Sequence, residues 1–220
     1  MTIIASLLRA AELPDSPTSR LDAELLLAAA LGKSRSFLHT WPERIVPSEA
    51  ALLFSEYLRR RRSGEPVAYI RGQQGFWNLD LEVAPHTLIP RPDTELLVET
   101  ALALLPAAPA RVLDLGTGSG AIALALASER PAWTVTAVDR VLEAVALAER
   151  NRQRLDLRNV TVLSSHWFSA LDGERFELII SNPPYIAATD PHLAEGDVRS
   201  EPASALVAGH DGLDDVRTII

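Results

Sequence analysis

A glycine-rich loop that joins a buried strand to a helix decides the fold class of this chain. The run 111–115 (RVLDL) has the apolar pattern of a buried strand, and the loop 116–120 (GTGSG) leads into an alanine-rich helix predicted over 119–129. Glycines allow the chain to turn tightly there and allow a ligand to approach the main chain. Because strands and helices continue to alternate up to residue 181, we expect a parallel sheet with helices on both faces, a doubly wound α/β fold.

The remaining elements of this fold are predicted from apolar periodicity. Short apolar runs bounded by turn residues indicate strands, and apolar residues that recur every three or four positions indicate helices. The predicted strands are 111–115, 133–138, 160–163, 177–181 and 205–207, and the predicted helices are 92–105, 119–129, 141–154 and 211–220.

The first third of the chain has a different pattern. Apolar residues recur at helical spacing from Ile3 to Arg62, which predicts a small helical domain of three or four helices. From Val67 to Val83 the pattern becomes strand-like alternation, which predicts a hairpin connector. We therefore expect three parts, a helical domain over 1–65, a hairpin connector over 66–90 and an α/β domain over 91–220.

Composition excludes several classes of protein. No apolar run is longer than 25–31, which is far shorter than a membrane-spanning helix requires, and the N-terminal residues lack the pattern of an export signal. The absence of cysteine excludes disulfides, thiolate zinc sites and cysteine nucleophiles, and is compatible with a reducing cytosol. The five histidines show no metal-ligand spacing. We expect a cytoplasmic protein without a metal site.

The formal net charge of −8 at pH 7 is unevenly distributed. Residues 1–71 carry 10 Lys and Arg against 8 Asp and Glu, whereas residues 72–220 carry 11 against 21. An acidic larger part disfavours charge-driven binding of nucleic acid, because phosphate neutralisation requires clustered cations. The basic run Arg59–Arg62 ends a helical pattern, where cations interact favourably with the helix dipole, and partner binding is the alternative role.

Two carboxylates indicate which ligand the glycine-rich loop binds. Asp114 ends the preceding strand, where a carboxylate suits a cationic amino-acid group and would repel a pyrophosphate. This favours S-adenosylmethionine over a nicotinamide dinucleotide, although Gly116-x-Gly118-x-x-Ala121 also fits the dinucleotide fingerprint. Asp139, at the end of the second strand, is placed to accept hydrogen bonds from both ribose hydroxyls. Capping the next helix is the alternative role of Asp139.

The sequence Asn182-Pro183-Pro184-Tyr185 follows the fourth predicted strand, at the edge where open α/β sheets bind ligands. The prolines stiffen the backbone and leave its carbonyl oxygens free to accept. If the Asn182 side-chain oxygen and the Pro183 carbonyl each accept one hydrogen of a planar amino group, its nitrogen lone pair is directed at the reacting carbon. Tyr185 would supply a flat wall against that group. A rigid turn at the end of a strand is the alternative reading.

Other functions fit parts of this pattern. Methylation of exocyclic amino groups of DNA or RNA bases needs the same acceptors, and base flipping would deliver such a base. A nicotinamide-dependent oxidoreductase and a binding module without turnover are further alternatives. The chain ends at Ile219-Ile220 without a helix cap, and we expect about 50 residues of a typical doubly wound sheet to be missing.

Taken together, DLGTGSG, the acid after the second strand and NPPY resemble S-adenosylmethionine-dependent methyltransferases acting on planar amino groups. RRRRSGEPVAYIRG, FWNLDLEV, TLIPRPDTE and SNPPYI, with the helical N-terminal part, resemble the bacterial peptide chain release factor glutamine N5-methyltransferases. This resemblance extends from about residue 5 to the end of the chain. It implies a Rossmann-like methyltransferase sheet without its last strands, preceded by a helical substrate-recognition domain and the hairpin.

The resemblance also implies a reaction. A methyl group would pass from S-adenosylmethionine, leaving S-adenosylhomocysteine, to the side-chain amide of the glutamine in the Gly-Gly-Gln motif of class 1 peptide chain release factors. The helical domain would help to hold that partner, and no stable binding of nucleic acid and no membrane partner are expected. By matching positions, the cofactor contacts fall on the glycine-rich loop, Asp139, Trp167 and Asn182, and the substrate amide contacts fall on residues 182–185. Ordinary core packing is the alternative role of Trp167.

One departure from the family lies at His166, where an acidic residue is usual beside the adenine. Arg91 and Glu95 lie within TLIPRPDTE but are left out of the predicted catalytic set. The predicted catalytic residues are Asn182, Pro183 and Tyr185; the substrate-binding residues are Asn182, Pro183, Pro184 and Tyr185; and the cofactor-binding residues are Asp114, Gly116, Thr117, Gly118, Ser119, Gly120, Asp139, Trp167 and Asn182.

Overall fold

The computed structural model describes residues 2–220, which form two compact units, the first ending at Arg71 and the second beginning at Gly72. The first unit is helical, as predicted, and its core is made of buried aliphatic and aromatic side chains such as Leu26, Leu27 and Phe54. Its helices are α1 (Ile4–Ala10), α2 (Ser19–Leu31), α3 (Arg35–Thr40), α4 (Ser48–Arg62) and α5 (Val67–Arg71).

Helix α5 corrects the expectation of strand-like alternation from Val67 onward. The first four residues of Val67–Arg71 are all buried, and both Val67 and Ile70 belong to the core of the first unit. Residues three apart lie on one side of a helix, whereas in a strand they would point to opposite faces. The predicted division at residues 65 and 90 stays a prediction; the compact units divide the chain between Arg71 and Gly72.

The second unit begins with an antiparallel hairpin of β1 (Gln73–Phe76) and β2 (Leu79–Glu82). At its tip Trp77 has a φ of 57°, its backbone N–H donates to the Glu95 carboxylate at 2.8 Å, and its indole N–H donates to Glu129 at 2.7 Å. Phe76 and Leu81 are buried in the core of the second unit. The hairpin is therefore part of this unit.

A four-stranded parallel sheet forms the centre of the second unit, which confirms the predicted fold class. Its strands are ordered β5-β4-β3-β6, and helix α7 is almost entirely buried against it. Because β4 and β6 lie on opposite sides of β3, the strand order reverses at β3, and ligands of open α/β sheets bind beyond the carboxyl ends of the strands at such a point. The strands are β3 (Arg111–Leu115), β4 (Thr134–Asp139), β5 (Val160–Ser164) and β6 (Leu178–Ser181), and the helices are α6 (Glu95–Leu104), α7 (Ala121–Glu129), α8 (Leu142–Arg154) and α9 (Asp214–Ile219).

Two predicted elements near the end of the chain are wrong in detail. The expected strand at 205–207 is a 3-10 turn over Ala203–Ala205 followed by one isolated parallel bridge between Ile186 and Val207. The expected helix from Asp211 begins only at Asp214, because Gly212 has a φ of 78°, outside the helical range. None of the helices in the described part of the chain has the length and apolarity needed to cross a membrane.

Candidate functional site

A cavity lies at the carboxyl edge of the sheet, and we call it the glycine cavity. The loops after β3, β4, β5 and β6 all contribute to its walls, so side chains far apart in sequence meet there. The predicted site residues on its walls are Gly116, Thr117, Gly118, Ser119, Asp139, Trp167, Asn182 and Pro184.

The glycine-rich loop forms the floor of this cavity in a conformation that favours glycine. Gly116 has a φ of 72°, and a Cβ placed there would lie 3.4 Å from the Trp167 ring. Gly120 has a φ of 87°, and a Cβ there would lie 2.9 Å from Leu124. Gly120 does not line the cavity. It ends the loop, and helix α7 therefore begins at Ala121 rather than at residue 119.

Asp139 joins the residue before α8 to the glycine-rich loop, and its contact with ribose hydroxyls stays a prediction. One carboxylate oxygen accepts the backbone N–H of Val141 at 2.9 Å, at the start of α8, and the other accepts the N–H of Gly118 at 2.9 Å. The residue also lines the glycine cavity. Because each carboxylate oxygen has two lone pairs, both oxygens retain capacity to accept a ligand hydroxyl.

Asp114 does not line the cavity. It is fully buried, and one carboxylate oxygen accepts from the Thr117 hydroxyl at 2.6 Å and from the Ala123 N–H at 3.3 Å. Burial is the main reason why the pKa of Asp114 is raised to about 6. In the structure this carboxylate organises the glycine-rich loop, and its direct contact with a cationic group stays a prediction.

Three buried polar atoms near this site have no hydrogen-bond partner in the described part of the chain. They are Asp114 Oδ1, His86 Nε2 and Trp167 Nε1, and both His86 and Trp167 line the glycine cavity. Buried polar groups are normally hydrogen-bonded, so these atoms fit a site that binds a polar ligand. Between residues 2 and 220, no group of three or more His, Asp or Glu side chains is arranged to hold a metal ion.

Trp167 is both core residue and cavity wall. Its ring is buried with Leu113, Leu115 and Val138, and it has a φ of 51°, a strained value for a residue that is not glycine. The ring of His166, which also lines the cavity, lies 6.0 Å from it between centroids. The Trp167 ring lies next to the glycine-rich loop, since a Cβ at Gly116 would be 3.4 Å from it.

Residues 182–185 line both the glycine cavity and a second cavity, which we call the tyrosine cavity. Asn182 and Pro184 line the glycine cavity, whereas Asn182, Pro183 and Tyr185 line the tyrosine cavity. The Asn182 side-chain nitrogen donates to the Thr94 hydroxyl at 3.4 Å, which leaves the Asn182 side-chain oxygen able to accept. Asn182 is thus the predicted catalytic residue exposed to both cavities.

Several site residues were missed from the sequence. His86, Thr87 and Leu88, which follow the hairpin, form one wall of the glycine cavity, and Thr94 lines both cavities. TLIPRPDTE marks part of this wall in the sequence, but its residues have no obvious chemical pattern. Glu201 is fully buried within the long connection after β6, and no local pattern distinguishes it from a surface acid.

Comparison with known proteins agrees with this geometry. Residues 3–72 match the family model of the PrmC N-terminal domain, and residues 92–198 match that of the methyltransferase small domain. The release factor glutamine methyltransferase of Pseudomonas aeruginosa is 76% identical over 220 residues, covering 100% of this chain and 80% of that protein. Those of Salmonella typhimurium and Escherichia coli are 56% and 54% identical, each covering 95% of this chain and 76% of the relative. This chain belongs to the release factor glutamine methyltransferase family.

Proposed function

We propose that this chain transfers the methyl group of S-adenosylmethionine to the side-chain amide nitrogen of the glutamine in the Gly-Gly-Gln motif of class 1 peptide chain release factors. The observation that carries the proposal is the position of Asn182, which lines both the glycine cavity and the tyrosine cavity. A methyl donor in the first cavity and an amide in the second would meet at this side chain. Because release factors act in translation, the proposed activity belongs in the cytoplasm.

The glycine cavity supplies the groups that S-adenosylmethionine requires. Asp139 has free acceptor capacity for ribose hydroxyls, and Trp167 offers an aromatic face and an unpaired indole N–H. The cofactor supplies a methyl group bound to a positively charged sulfur, which makes that carbon an electrophile. The buried Asp114 places negative charge beneath the loop, which favours a cationic ligand above it.

The tyrosine cavity supplies the acceptors that an amide requires. An amide nitrogen is a poor nucleophile because its lone pair is delocalised into the carbonyl group. The Asn182 oxygen and the Pro183 carbonyl would hold its two hydrogens and fix the lone pair toward the electrophilic carbon. Tyr185, whose side chain is 65% exposed, would close over the planar amide. The nitrogen becomes strongly acidic when methylated and can release its proton to water.

Ion pairing within the first unit weakens the nucleic-acid alternative. Each arginine of the basic run 59–62 has a hydrogen-bond partner within the chain, which competes with contacts to phosphates. Its contacts join Arg59 to Glu56, Arg60 to Glu65, Arg61 to Asp22, and Arg62 to the backbone oxygen of Glu12. The remaining charge of the chain is strongly acidic. Methylation of nucleic-acid amino groups is therefore the outcome that the test must exclude.

The test is a methyl-transfer assay with labelled S-adenosylmethionine and four acceptors. They are a class 1 release factor, its variant with the Gly-Gly-Gln glutamine changed to alanine, DNA and ribosomal RNA. We expect label on the unchanged release factor alone. Label on nucleic acid without label on the release factor would refute the proposed substrate, and label on the alanine variant would refute the proposed amide.

Asn182→Ala gives the matching test on the enzyme. Loss of a preorganised acceptor should lower kcat by about 100-fold or more, by analogy with oxyanion-hole donors. Stability should change little, because the side chain makes one hydrogen bond at 3.4 Å. Asn78→Ala is the matched control, since Asn78 also makes one such bond at 3.4 Å, to Glu129 at the hairpin tip. Equal activity of the two variants would contradict the role of Asn182.

A further inference from the structure

The segment 89–95, which follows the hairpin and ends on the first residue of α6, contains polar residues to which the proposed reaction gives no role. Three side chains of this segment form hydrogen bonds with other parts of the chain. Thr94 accepts from Asn182, Glu95 accepts from the tip of the hairpin, and the Arg91 guanidinium donates to the carboxylate of Glu201. The last contact joins residues 110 positions apart in the sequence.

Glu201 is held more firmly than a surface carboxylate. Its side chain is fully buried, one oxygen accepts the backbone N–H of Ile89 at 3.0 Å, and the other accepts from Arg91. A buried carboxylate that loses its cationic partner is left with a large desolvation cost. The contacts with Arg91 and Ile89 therefore fix the position of the chain around Glu201.

That part of the chain forms a wall of the tyrosine cavity. We call residues 198–206 the strap; Val198, Ala205 and Leu206 line the tyrosine cavity, and so does Arg91. Its backbone is arranged in 3-10 turns over Val198–Ser200 and Ala203–Ala205, so local hydrogen bonds shape the strap but do not attach it to segment 89–95. The Glu201 carboxylate makes that attachment.

We propose that Arg91 and Glu201 are positioning residues for the amide substrate, holding the strap against segment 89–95 so that the tyrosine cavity keeps the shape of its acceptor. This inference rests on the proposed function, because it assigns the tyrosine cavity to the substrate. Arg91 does not line the glycine cavity, and the strap contributes only Ser204 and Ala205 to it. Loss of the pair should therefore affect the protein substrate more than the cofactor.

The experiment compares Arg91→Gln, Arg91→Lys and Glu201→Gln in the full chain, with Arg158→Gln as the control. Arg158 belongs to an exposed ion pair with Asp156 and lines neither cavity. For each protein, three quantities are measured: the Kd of S-adenosylhomocysteine by calorimetry, kcat/KM for the release factor, and hydrogen exchange of the backbone amides in the strap and at Ile89.

In Arg91→Gln and Glu201→Gln we expect kcat/KM for the release factor to fall roughly tenfold or more, because small displacements of a substrate wall are costly to rate. The Kd of S-adenosylhomocysteine should change by less than about threefold, and exchange in the strap should accelerate. Arg91→Lys should recover part of kcat/KM, since it keeps the charge but not the guanidinium geometry. Arg158→Gln should match the unchanged protein.

Three results would overturn the positioning role. They are unchanged exchange in the strap, unchanged kcat/KM, or a loss of S-adenosylhomocysteine affinity as large as the loss of kcat/KM. If a glutamine variant does not fold, Arg91→Lys decides, because it keeps a cation beside the buried Glu201 carboxylate and Arg91 itself is partly exposed. If the unchanged chain binds S-adenosylhomocysteine but methylates no release factor, the proposed function is refuted, and the exchange data still decide whether the pair holds the strap.

Discussion

Asp114 and Asp139 are both carboxylates at the carboxyl edge of the sheet, but their surroundings differ. Asp139 faces the glycine cavity, whereas Asp114 is fully buried below the loop and bonded to Thr117 and Ala123. Sequence position predicted that both lie near the loop. It could not show which of them reaches the cavity, because that depends on how the loop folds back over the end of β3.

The raised pKa of Asp114 makes stability depend on pH. Its folded value is about 6 against an ordinary 3.8, so the unfolded chain releases this proton first as pH rises. The stabilisation by the protonated Asp114 carboxyl should therefore be fully present below pH about 4. It should be lost between pH about 4 and 6, which lowers the free energy of unfolding by at most about 3 kcal/mol. Asp114→Asn cannot ionise, and so its stability relative to the unchanged protein should rise across that window. Urea unfolding of both proteins between pH 4.5 and 7.5 measures this difference.

The free energies of unfolding of Asp114→Asn and of the unchanged protein could instead differ by the same amount at every pH from 4.5 to 7.5. That result would contradict a raised pKa of the buried Asp114. Adding S-adenosylhomocysteine tests the direct contact predicted from the sequence. A cationic amino group beside the unpaired oxygen would lower the pKa of Asp114 and shift the window to lower pH. An unshifted window in the presence of saturating ligand would exclude that contact.

The strands and helices of the second unit were predicted more accurately than their connections. Strand β3 has the predicted limits, because buried apolar runs between turn residues are local signals. Helix α5 was misread because four consecutive buried residues fit either a strand or a helix. The contact between Arg91 and Glu201 joins distant parts of the chain, and only the fold brings them together.

The glycine-rich loop allows a matched pair of substitutions. Gly116 and Gly173 both have positive φ, 72° and 75°, so alanine at either position should cost about 1–2 kcal/mol in backbone strain. Only at Gly116 does the new Cβ meet another group, the Trp167 ring at 3.4 Å; at Gly173 nothing lies within 4 Å. We expect Gly116→Ala to weaken S-adenosylhomocysteine binding about tenfold or more, as measured by calorimetry, and Gly173→Ala to leave it unchanged. Equal affinities of the two variants would show that the loop does not contact the ligand.

In the whole molecule, the charge and the hydrophobic cores are both divided between the two compact units. The first unit carries nearly balanced charge and has its own helical core, whereas the second carries the acidic excess and the core of the parallel sheet. All residues that line the glycine and tyrosine cavities belong to the second unit. The proposed sites for the cofactor and for the substrate amide therefore both lie in the second unit, and the expected role of the first unit in holding the release factor can be tested separately.

Residues 72–220 expressed without the first unit should bind S-adenosylhomocysteine with a Kd within about threefold of that of the full chain, because the glycine cavity is complete in this fragment. Methylation of the release factor should fall at least about tenfold in kcat/KM, since the family resemblance implies that the helical unit helps to hold that partner. Calorimetry and the labelled-methyl assay measure the two effects on the same sample, and circular dichroism checks that the fragment is folded. If the folded fragment methylates the release factor as well as the full chain does, the helical unit has no role in substrate recognition. If the folded fragment no longer binds S-adenosylhomocysteine, part of the cofactor site lies outside the glycine cavity.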